Sequence, residues 1–452
     1  MASNGRRIVV IGGVAAGTSA ASKARRIDRD VEITLLQEES VVSYGACGMP
    51  YVLEGLIPRF DMLIERPPEV FRKEYDIDVF VNTKAQKIDI EKSCVYAFSA
   101  NDSKELTFQY DSLVIATGAR AELPMIDGID KKGVCMLRNY NDGVKIKDLS
   151  MNSKSCIIVG AGLIGIEVAD SLKKRGFDVT IIEMMGQVLP NLIDVDMAKI
   201  IQDHLESHGV KVLLGDRLER ITGNLKVNGV ETSIRAIEGD LVILGTGVRP
   251  NSELARDAGI ELGYANAIRV DNHMCTSVKD VFAAGDCATA LNYITGKDTY
   301  VPLGTTANRQ GRIAGENAAG GNAVFHGIAG SAITKTFDLY VGRTGMSTEE
   351  SLKEGYDPVS KTIESITRSG YYPDHKKLWI KLVVDKKSGL ILGAQIIGGE
   401  GVKGRIDLVS FALMLKSSIN DLANYDACYV PPASPVWEPL NIAASQVSKL
   451  TS

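Results

Sequence analysis

The sequence predicts an α/β protein in which two copies of one parallel-sheet unit precede a C-terminal α+β domain. Residues 7–36 and 155–183 each read as strand, glycine turn, helix and second strand, an order typical of parallel sheets with right-handed crossovers. From about Ala329, alternating segments such as 378–384 and 390–397 predict antiparallel strands, followed by a helix over about 404–417. A chain of 452 residues is too long for one core, so several domains are expected.

The first unit turns at Gly12, Gly13 and Gly17, a GGxxxG pattern rather than the usual GxGxxG. Such glycines let backbone N–H groups approach a pyrophosphate at a helix N-terminus. Taken alone, the pattern also fits a glycine turn in an ordinary α/β domain. The strand-end position that is usually acidic holds Gln37, with Glu38 next, so either side chain is a candidate for a ribose hydroxyl.

The second unit has a complete GxGxxG motif at Gly160, Gly162 and Gly165, between a strand and a helix. Glu183 ends the next strand, close to the spacing of about 20 residues expected for an acidic group on a ribose 2′-hydroxyl. Residues 184–189 contain no Arg or Lys to hold a 2′-phosphate, which favours NADH over NADPH.

Two buried strands that end in glycine turns, 113–118 and 241–247, indicate the ends of the two units. After Val248 the chain is expected to return to the first domain through residues 281–286. Asp286 follows a glycine turn there and is compatible with binding nucleotide sugar hydroxyls or with capping a helix at Cys287. The predicted domains are two Rossmann-like nucleotide-binding domains and a C-terminal α+β domain: 1–150 with 249–328, 151–248, and 329–452.

Composition excludes several classes of protein. The net charge is −5 and no long basic run occurs, which argues against nucleic acid or an anionic membrane as partner. No uninterrupted apolar stretch of about 18 residues is found. The polar start of the chain leads directly into a strand, so no signal peptide is expected. Seven cysteines without a CxxC pair argue against a zinc site or a disulfide framework and favour the cytoplasm.

Cys47 differs in its surroundings from the other cysteines. It lies in the glycine-rich segment 43–51, and Pro50 suits the first turn of a helix. A thiol just before a helix N-terminus is expected to have a lowered pKa and hence to be reactive. The alternative is a buried structural cysteine, which is the commoner state; the glycine-rich segment favours the reactive interpretation.

These motifs, with residues 116–118, 284–286 and the tail 429–437, give the chain a resemblance to the pyridine nucleotide–disulfide oxidoreductase superfamily. Within it, the chain resembles the single-cysteine branch of coenzyme A-disulfide reductases, NAD(P)H sulfur or polysulfide reductases, NADH oxidases and NADH peroxidases. The resemblance implies FAD in the first unit, NAD(P)H in the second, and a homodimer built on the C-terminal domain. Cofactor contacts are expected at Gly12, Gly13, Ala15, Ala16, Gly17, Gln37, Glu38, Ser43, Thr117, Gly118, Gly160, Gly162, Leu163, Ile164, Gly165, Glu183, Gly247, Gly285, Asp286 and Ala307.

The resemblance also implies catalytic and substrate residues. Beside Cys47, the tail Tyr429 and one of Tyr371 and Tyr372 resemble the family's tyrosines, with the tail reaching the partner subunit's active site. Coenzyme A contacts are implied at Ser19, Lys23, Arg26 and Ser43. Lys23 and Arg26 lie three residues apart on one helix face and fit either coenzyme A phosphates or solvent.

Departures from the family narrow the activity. Ala46 and Asn308 stand where coenzyme A-disulfide reductases can have Asn and His, and Ala15 replaces the acid–base His of NADH peroxidases, which argues against a peroxidase. Cys428, beside Tyr429, is either a second thiol facing Cys47 across the dimer or, as we expect, a packing residue.

The expected function is FAD-dependent reduction of coenzyme A disulfide, polysulfide or a related small-molecule sulfur substrate by NAD(P)H through Cys47. The alternatives are an NADH oxidase that cycles through a cysteine sulfenic acid and an electron-transfer subunit for a protein partner, in which Cys47 is incidental.

Overall fold

The computed structural model describes residues 5–451. The first sheet has five parallel strands, and its central strand begins at Arg7. Nearly every residue of that strand is buried, as expected for a parallel sheet covered on both faces. In spatial order the strands are Val281–Ala283, Ser112–Ile115, Arg7–Ile11, Glu32–Leu36 and Ile77–Phe80. The chain therefore returns to this sheet after the second unit, as predicted.

Two helices, Ala15–Ile27 and Gly304–Ala318, pack closely against each other beside the first sheet. Their contact depends on small residues. A Cβ atom at Gly311 or Gly315 would lie 2.2 or 2.1 Å from the carbonyl oxygen of Ala16 or Ala20. This close approach brings Gly304–Ala318 to the first glycine turn, although the two segments are far apart in sequence.

The second sheet also has five parallel strands, in the order Lys211–Leu214, Asp178–Glu183, Ser155–Val159, Leu241–Leu244 and Val134–Met136. The edge strand Val134–Met136 pairs with Leu241–Leu244, so this sheet begins before the predicted domain boundary at residue 150. The reason is that a three-residue strand carries no turn signal of its own in the sequence. The other predicted boundaries, at 248 and 328, stay predictions.

The two units are joined by a two-stranded antiparallel ribbon, Ala119–Ala121 with Val248–Pro250. Further backbone hydrogen bonds, from Asn251 to Gly118 and from Glu122 to Gly247, extend the ribbon. The two segments that connect the units thus lie side by side. Each follows directly after the glycine turn that ends its unit.

The C-terminal sheet is antiparallel, in the order Ala332–Thr336, Leu339–Gly345, Ile391–Gly398, Lys377–Asp385 and Pro358–Ile366. The predicted turn at 385–389 joins two of these strands. The helix Val402–Met414 begins earlier than predicted, because Gly401 (φ +84°) caps its start, and it also ends a few residues earlier. Ile391–Gly398 is buried along its whole length and packs against this helix.

Smaller elements complete the fold. The remaining strands form two three-stranded sheets and a short hairpin: Thr83–Asp89, Cys94–Ser99 and Lys104–Gln109; Leu218–Gly223, Val227–Thr232 and Ala236–Glu238; Ala290–Leu291 and Asp298–Thr299. The remaining helices are Met49–Glu54, Pro68–Tyr75, Tyr140–Ser150, Leu163–Lys174, Val195–Ser207, Glu253–Asp257, Thr348–Lys353, Ile419–Asn424 and Pro439–Ser448. Within residues 5–451, no helix has the length and apolar character needed to span a bilayer.

Candidate active site

The first and second glycine loops, residues 12–17 and 160–165, have the same local geometry. Gly12 (φ +106°) and Gly160 (φ +103°) both adopt the left-handed conformation that favours glycine. A Cβ atom at Gly12 would lie 2.1 Å from the Ala116 carbonyl oxygen, and one at Gly160 would lie 2.4 Å from that of Gly245. Both loops are therefore pressed against the neighbouring strand's end and tolerate only glycine at this position.

The last glycine of each loop lets the following helix approach the loop. A Cβ atom would lie 1.7 Å from the Gly12 carbonyl oxygen if placed on Gly17, and 2.0 Å from that of Gly160 if placed on Gly165. The two loops differ at the position of the middle glycine of the motif. A Cβ at Gly162 would meet nothing within 4 Å, whereas the first loop carries Val14 there. The surface at Gly162 is thus open for close approach of a ligand.

Gln37 and Glu183 occupy equivalent places at the ends of the second strands. Gln37 Oε1 accepts a hydrogen bond of 2.8 Å from the Gly13 N–H, and Glu183 Oε2 accepts one of 2.8 Å from the Ala161 N–H. Both side chains are buried. Glu38 lies instead at the surface, where Lys84 pairs with it at 2.7 Å. The strand-end position of the first unit is therefore held by Gln37.

Both loops open into one cavity of about 3080 Å³, called here the active-site cavity. It is lined by most of the predicted cofactor contacts: Gly12, Gly13, Ala15, Ala16, Gln37, Glu38, Thr117, Gly118, Gly160, Gly162, Leu163, Ile164, Glu183, Gly247, Gly285, Asp286 and Ala307. Gly17 and Gly165 are not in this lining because they face the backbone of their own loops. Ser43 (φ +50°) is absent from it too, and its N–H donates to the Gly13 carbonyl oxygen.

Asp286 does not cap a helix, because no helix begins near Cys287. Its carboxylate pairs with Arg138 at 2.7 Å, and its carbonyl oxygen accepts a hydrogen bond from the Tyr300 hydroxyl. Asp286 also lines the active-site cavity. The capping interpretation is therefore wrong, and the carboxylate faces the space where a nucleotide fits.

Cys47 lies in a single 3-10 turn, Ala46–Gly48, directly before the helix Met49–Glu54. Its side chain is exposed to the active-site cavity. The surrounding protein nevertheless desolvates the thiol, and this raises the pKa of Cys47. The carboxylates of Glu167 and Asp286 raise it further, while Arg138 acts in the opposite direction. The pKa thus shifts in the opposite direction to the expected one, because desolvation and two acidic groups disfavour the thiolate.

Two of the charged residues that act on Cys47, Arg138 and Glu167, were not predicted as site residues from the sequence. Glu167 is the charged interruption of an otherwise apolar stretch in the helix Leu163–Lys174, and that interruption was the available signal. Thr334 donates a hydrogen bond of 2.6 Å to its carboxylate, and desolvation raises the pKa of Glu167. Arg138 follows the edge strand of the second sheet, which the sequence pattern did not reveal.

Tyr429 of the tail and its predicted partner tyrosine lie together, but outside the active-site cavity of their own chain. The phenol oxygens of Tyr371 and Tyr429 are 2.9 Å apart, and Ser369 Oγ lies 3.4 Å from Tyr429. These hydrogen bonds lower the pKa of Tyr429 and raise the pKa of Tyr371. Of the two candidates, the structure pairs Tyr371 with Tyr429, and not Tyr372.

The tail is anchored by a buried ion pair, Arg405 with Glu438, at 2.5 and 2.9 Å. Ser434 donates to the same carboxylate at 2.8 Å. Between Tyr429 and this anchor, apolar side chains are left exposed, with Val436 67% and Trp437 73% exposed. Cys428 is exposed as well. We expected it to be a packing residue, and within the single chain it is not.

The predicted coenzyme A contacts lie outside the active-site cavity. Ser19 Oγ donates a hydrogen bond of 2.7 Å to Asn308 Oδ1, and Lys23 pairs with Glu316 at 2.9 Å. Both partners belong to the helix Gly304–Ala318. Lys23 is therefore partly neutralised, and Arg26 is the exposed cation of the pair.

Two family models match most of the chain. The pyridine nucleotide-disulphide oxidoreductase model matches residues 6–311, and the dimerisation domain model of the same family matches residues 331–439. The chain belongs to the pyridine nucleotide-disulphide oxidoreductase family.

Similar proteins of this family are named as NADH oxidases and as sulfur oxidoreductases. The chain is 41% identical to an NADH oxidase of Methanocaldococcus jannaschii, over 99% of both chains. It is 38% identical to an NAD(P)H sulfur oxidoreductase (CoA-dependent) of Pyrococcus abyssi, over 97% of both. It superposes on the structure of an NAD-dependent persulfide reductase from A. fulgidus with a TM-score of 0.95 and 39% identity, over 98% of this chain and 83% of the other.

This member of the pyridine nucleotide-disulphide oxidoreductase family is an NAD(P)H-dependent flavoprotein that uses FAD and NAD(P)H. Its own residues fit two dinucleotides. The active-site cavity is lined by two glycine loops, each of which begins a helix, and Gly162 leaves space where a pyrophosphate approaches. The fold and cofactors expected from the sequence are thus confirmed.

Proposed function

We propose that this chain reduces a sulfur–sulfur bond of a small molecule, with Cys47 as the nucleophile and NADH as the electron source. The observation that carries the proposal is the exposed Cys47 thiol, which lines the same cavity as both glycine loops. Two relatives support it: a protein named NAD(P)H coenzyme A polysulfide/persulfide reductase is 37% identical, and one named coenzyme A disulfide reductase is 29% identical.

The first glycine loop, with Gln37 behind it, is proposed to hold FAD, and the second, with Glu183, to hold NADH. When bound, the two cofactors supply the electron pair that the reduction requires. NADH is favoured over NADPH because the buried Glu183 carboxylate repels a 2′-phosphate, and the exposed Met184 and Met185 after it offer no cation.

The chemistry at Cys47 is thiol–disulfide exchange. The Cys47 thiolate attacks one substrate sulfur, a new S–S bond forms to Cys47, and the substrate's own S–S bond breaks. The departing thiolate takes one proton. Cleavage of the bond to Cys47 then consumes one electron pair and releases the second product thiol. Because desolvation and the neighbouring carboxylates raise the pKa of Cys47, forming the thiolate is a required step.

A homodimer supplies the proton donor in this proposal. Tyr429 and Tyr371 form a hydrogen-bonded pair that does not reach Cys47 of the same chain. The residues that follow Tyr429 expose Val430, Val436 and Trp437, which is an apolar surface suited to a partner. We propose that the tail of one subunit lies against the partner's active-site cavity, where Tyr429 protonates the departing sulfur.

Coenzyme A is proposed as the carrier of the substrate sulfur. Its phosphates are proposed to lie near Arg26 rather than Lys23, because Lys23 is already paired with Glu316.

A second candidate function is an NADH oxidase, favoured by the relative at 41% identity that carries this name. In that case oxygen accepts the electrons, and Cys47 alternates between thiolate and sulfenic acid.

The deciding experiment measures anaerobic NADH oxidation by the purified holoenzyme with coenzyme A disulfide and with polysulfide, offered separately. Three proteins are compared: wild type, Cys47→Ser, and Cys428→Ser as the control at the other fully exposed cysteine. Turnover in wild type and Cys428→Ser, with its loss in Cys47→Ser, supports the proposal and identifies the substrate. Rapid aerobic NADH oxidation without turnover of either sulfur compound would establish the oxidase instead.

A further inference from the structure

Two histidines lie one turn apart at the end of the helix Val195–Ser207. His204 is in its last turn and His208 is its C-cap residue, so the i, i+4 spacing places both rings on one face. Their ring centroids are 4.4 Å apart. The His208 ring is stacked on Phe337 at 3.9 Å with an interplanar angle of 10°, which restricts its orientation.

A carboxylate from another domain completes the cluster. Asp338 lies in the turn between the strands Ala332–Thr336 and Leu339–Gly345 of the C-terminal sheet. Its Oδ1 is 3.1 Å from His204 Nε2, and one ligand atom from each of His204, His208 and Asp338 lies within 4.8 Å of the other two. Tetrahedral zinc with bonds of about 2.0–2.1 Å separates its ligand atoms by about 3.3 Å. Small side-chain rotations therefore suffice to reach that geometry.

The polar atoms of the cluster are only partly engaged. His204 Nε2 is buried, and its 3.1 Å contact with Asp338 Oδ1 is not aligned as a hydrogen bond, so a buried polar atom is left unsatisfied within residues 5–451. His208 Nδ1 lies 2.9 Å from the His204 carbonyl oxygen, which leaves Nε2 of His208 for a ligand. Lys376 binds the other oxygen of Asp338, Oδ2, at 3.0 Å. Such an outer contact orients the carboxylate while leaving Oδ1 facing the histidine.

We propose that His204, His208 and Asp338 bind one divalent cation of the zinc class. Imidazole with carboxylate suits zinc, copper and nickel better than magnesium or calcium, and zinc is the ion we expect. The bound cation would link the helix Val195–Ser207, which connects two strands of the second sheet, to a turn of the C-terminal sheet. The sequence predicted no zinc site from the absence of CxxC pairs; that argument does not apply to a set of ligands without cysteine, and this proposal departs from the prediction.

The test uses the holoenzyme, dialysed against a chelator and titrated with Zn²⁺ in a calorimeter. Wild type is compared with His208→Gln and Asp338→Asn, both at exposed positions. The control is His326→Gln, at an exposed histidine outside the cluster. Lys376→Gln removes the outer contact to Asp338 Oδ2 and measures how far that contact supports binding.

We expect one Zn²⁺ per chain in wild type and in His326→Gln, at least tenfold weaker binding in His208→Gln and Asp338→Asn, and a smaller loss in Lys376→Gln. Zn²⁺ should also raise the Tm of wild type but not that of His208→Gln or Asp338→Asn. Equal affinity in all five proteins, or no binding to wild type, would overturn the proposal. Neither result depends on turnover, so a failure here is distinct from a failure of the proposed function.

Discussion

The phenol oxygens of Tyr371 and Tyr429 lie 2.9 Å apart on the surface of the C-terminal domain. Hydrogen bonds with Ser369 and Tyr371 lower the pKa of Tyr429, and the hydrogen bond with Tyr429 raises the pKa of Tyr371. A phenol with a lowered pKa is a better proton donor to a departing thiolate near neutral pH. The pair is thus suited to act as one acid in the partner's active site.

Replacing Tyr429 with Phe should lower turnover of the sulfur substrate by about 100-fold, the order of magnitude for a lost general acid. In wild type, activity should fall as the pH rises through the pKa of Tyr429, and this fall should be absent in Tyr429→Phe. The measurement is the pH profile of kcat. If turnover and profile both match those of wild type, the role of Tyr429 is abandoned.

The variant Tyr371→Phe separates the two tyrosines. It removes a hydrogen bond that lowers the pKa of Tyr429, so the loss of activity should move to higher pH. Tyr372→Phe is the matched comparison, because Tyr372 is not paired with Tyr429 and its substitution should leave the profile in place. If the pH profile shifts in Tyr372→Phe but not in Tyr371→Phe, then Tyr372, and not Tyr371, influences the pKa of Tyr429.

Glu167 should control the protonation of Cys47. Its carboxylate raises the pKa of the thiol, so Glu167→Gln should lower that pKa and release thiolate at lower pH. The measurement is the rate of alkylation by iodoacetamide as a function of pH, in a Cys428→Ser background so that Cys47 is the reacting thiol. A midpoint in Glu167→Gln that equals or exceeds that of the parent would contradict the assignment.

Two glycines of the second loop should respond differently to alanine. At Gly162 the added Cβ enters open space and the backbone (φ −76°, ψ −173°) suits any residue. Gly162→Ala should therefore fold normally but raise the KM for NADH by about tenfold, since it obstructs the pyrophosphate. At Gly165 the Cβ would lie 2.0 Å from the Gly160 carbonyl oxygen. Gly165→Ala should lower the free energy of unfolding by about 1–3 kcal/mol or more.

Thermal unfolding and NADH kinetics together distinguish these outcomes. A Gly162→Ala protein that is as unstable as Gly165→Ala, with an unchanged KM, would mean that the second loop does not face the nucleotide.

Nucleotide preference should depend on the residue after Glu183. Met184 is 66% exposed and lines the active-site cavity, so Met184→Arg places a cation where a 2′-phosphate would lie. We expect the ratio of kcat/KM for NADPH to that for NADH to rise about tenfold, as for one charge-assisted contact. Met151→Arg is the control, since Met151 is 69% exposed and outside the cavity. An equal change of this ratio in Met184→Arg and Met151→Arg would contradict the assignment of NADH to the second glycine loop.

Local sequence signals determined the order of the elements and both glycine loops. The positive φ of Gly12 and Gly160, and the close helix approach at Gly17 and Gly165, follow from short-range backbone sterics. Such constraints act between near neighbours in the chain, so the motif alone predicts them. The alternating pattern of the C-terminal strands likewise comes from local burial, and it placed the sheet within a few residues of its true bounds.

Only the tertiary structure decided the electrostatics of Cys47 and the arrangement of the distant groups around it. Its pKa depends on Glu167, Asp286 and Arg138, which three separate elements bring to one cavity. The pairing of Lys23 with Glu316 likewise joins positions that are remote in sequence. Coulomb and desolvation energies depend on distance in space. The sequence shows which residues carry charge but not the distances between them. Only the folded structure therefore identifies which charged groups interact with each other and with Cys47.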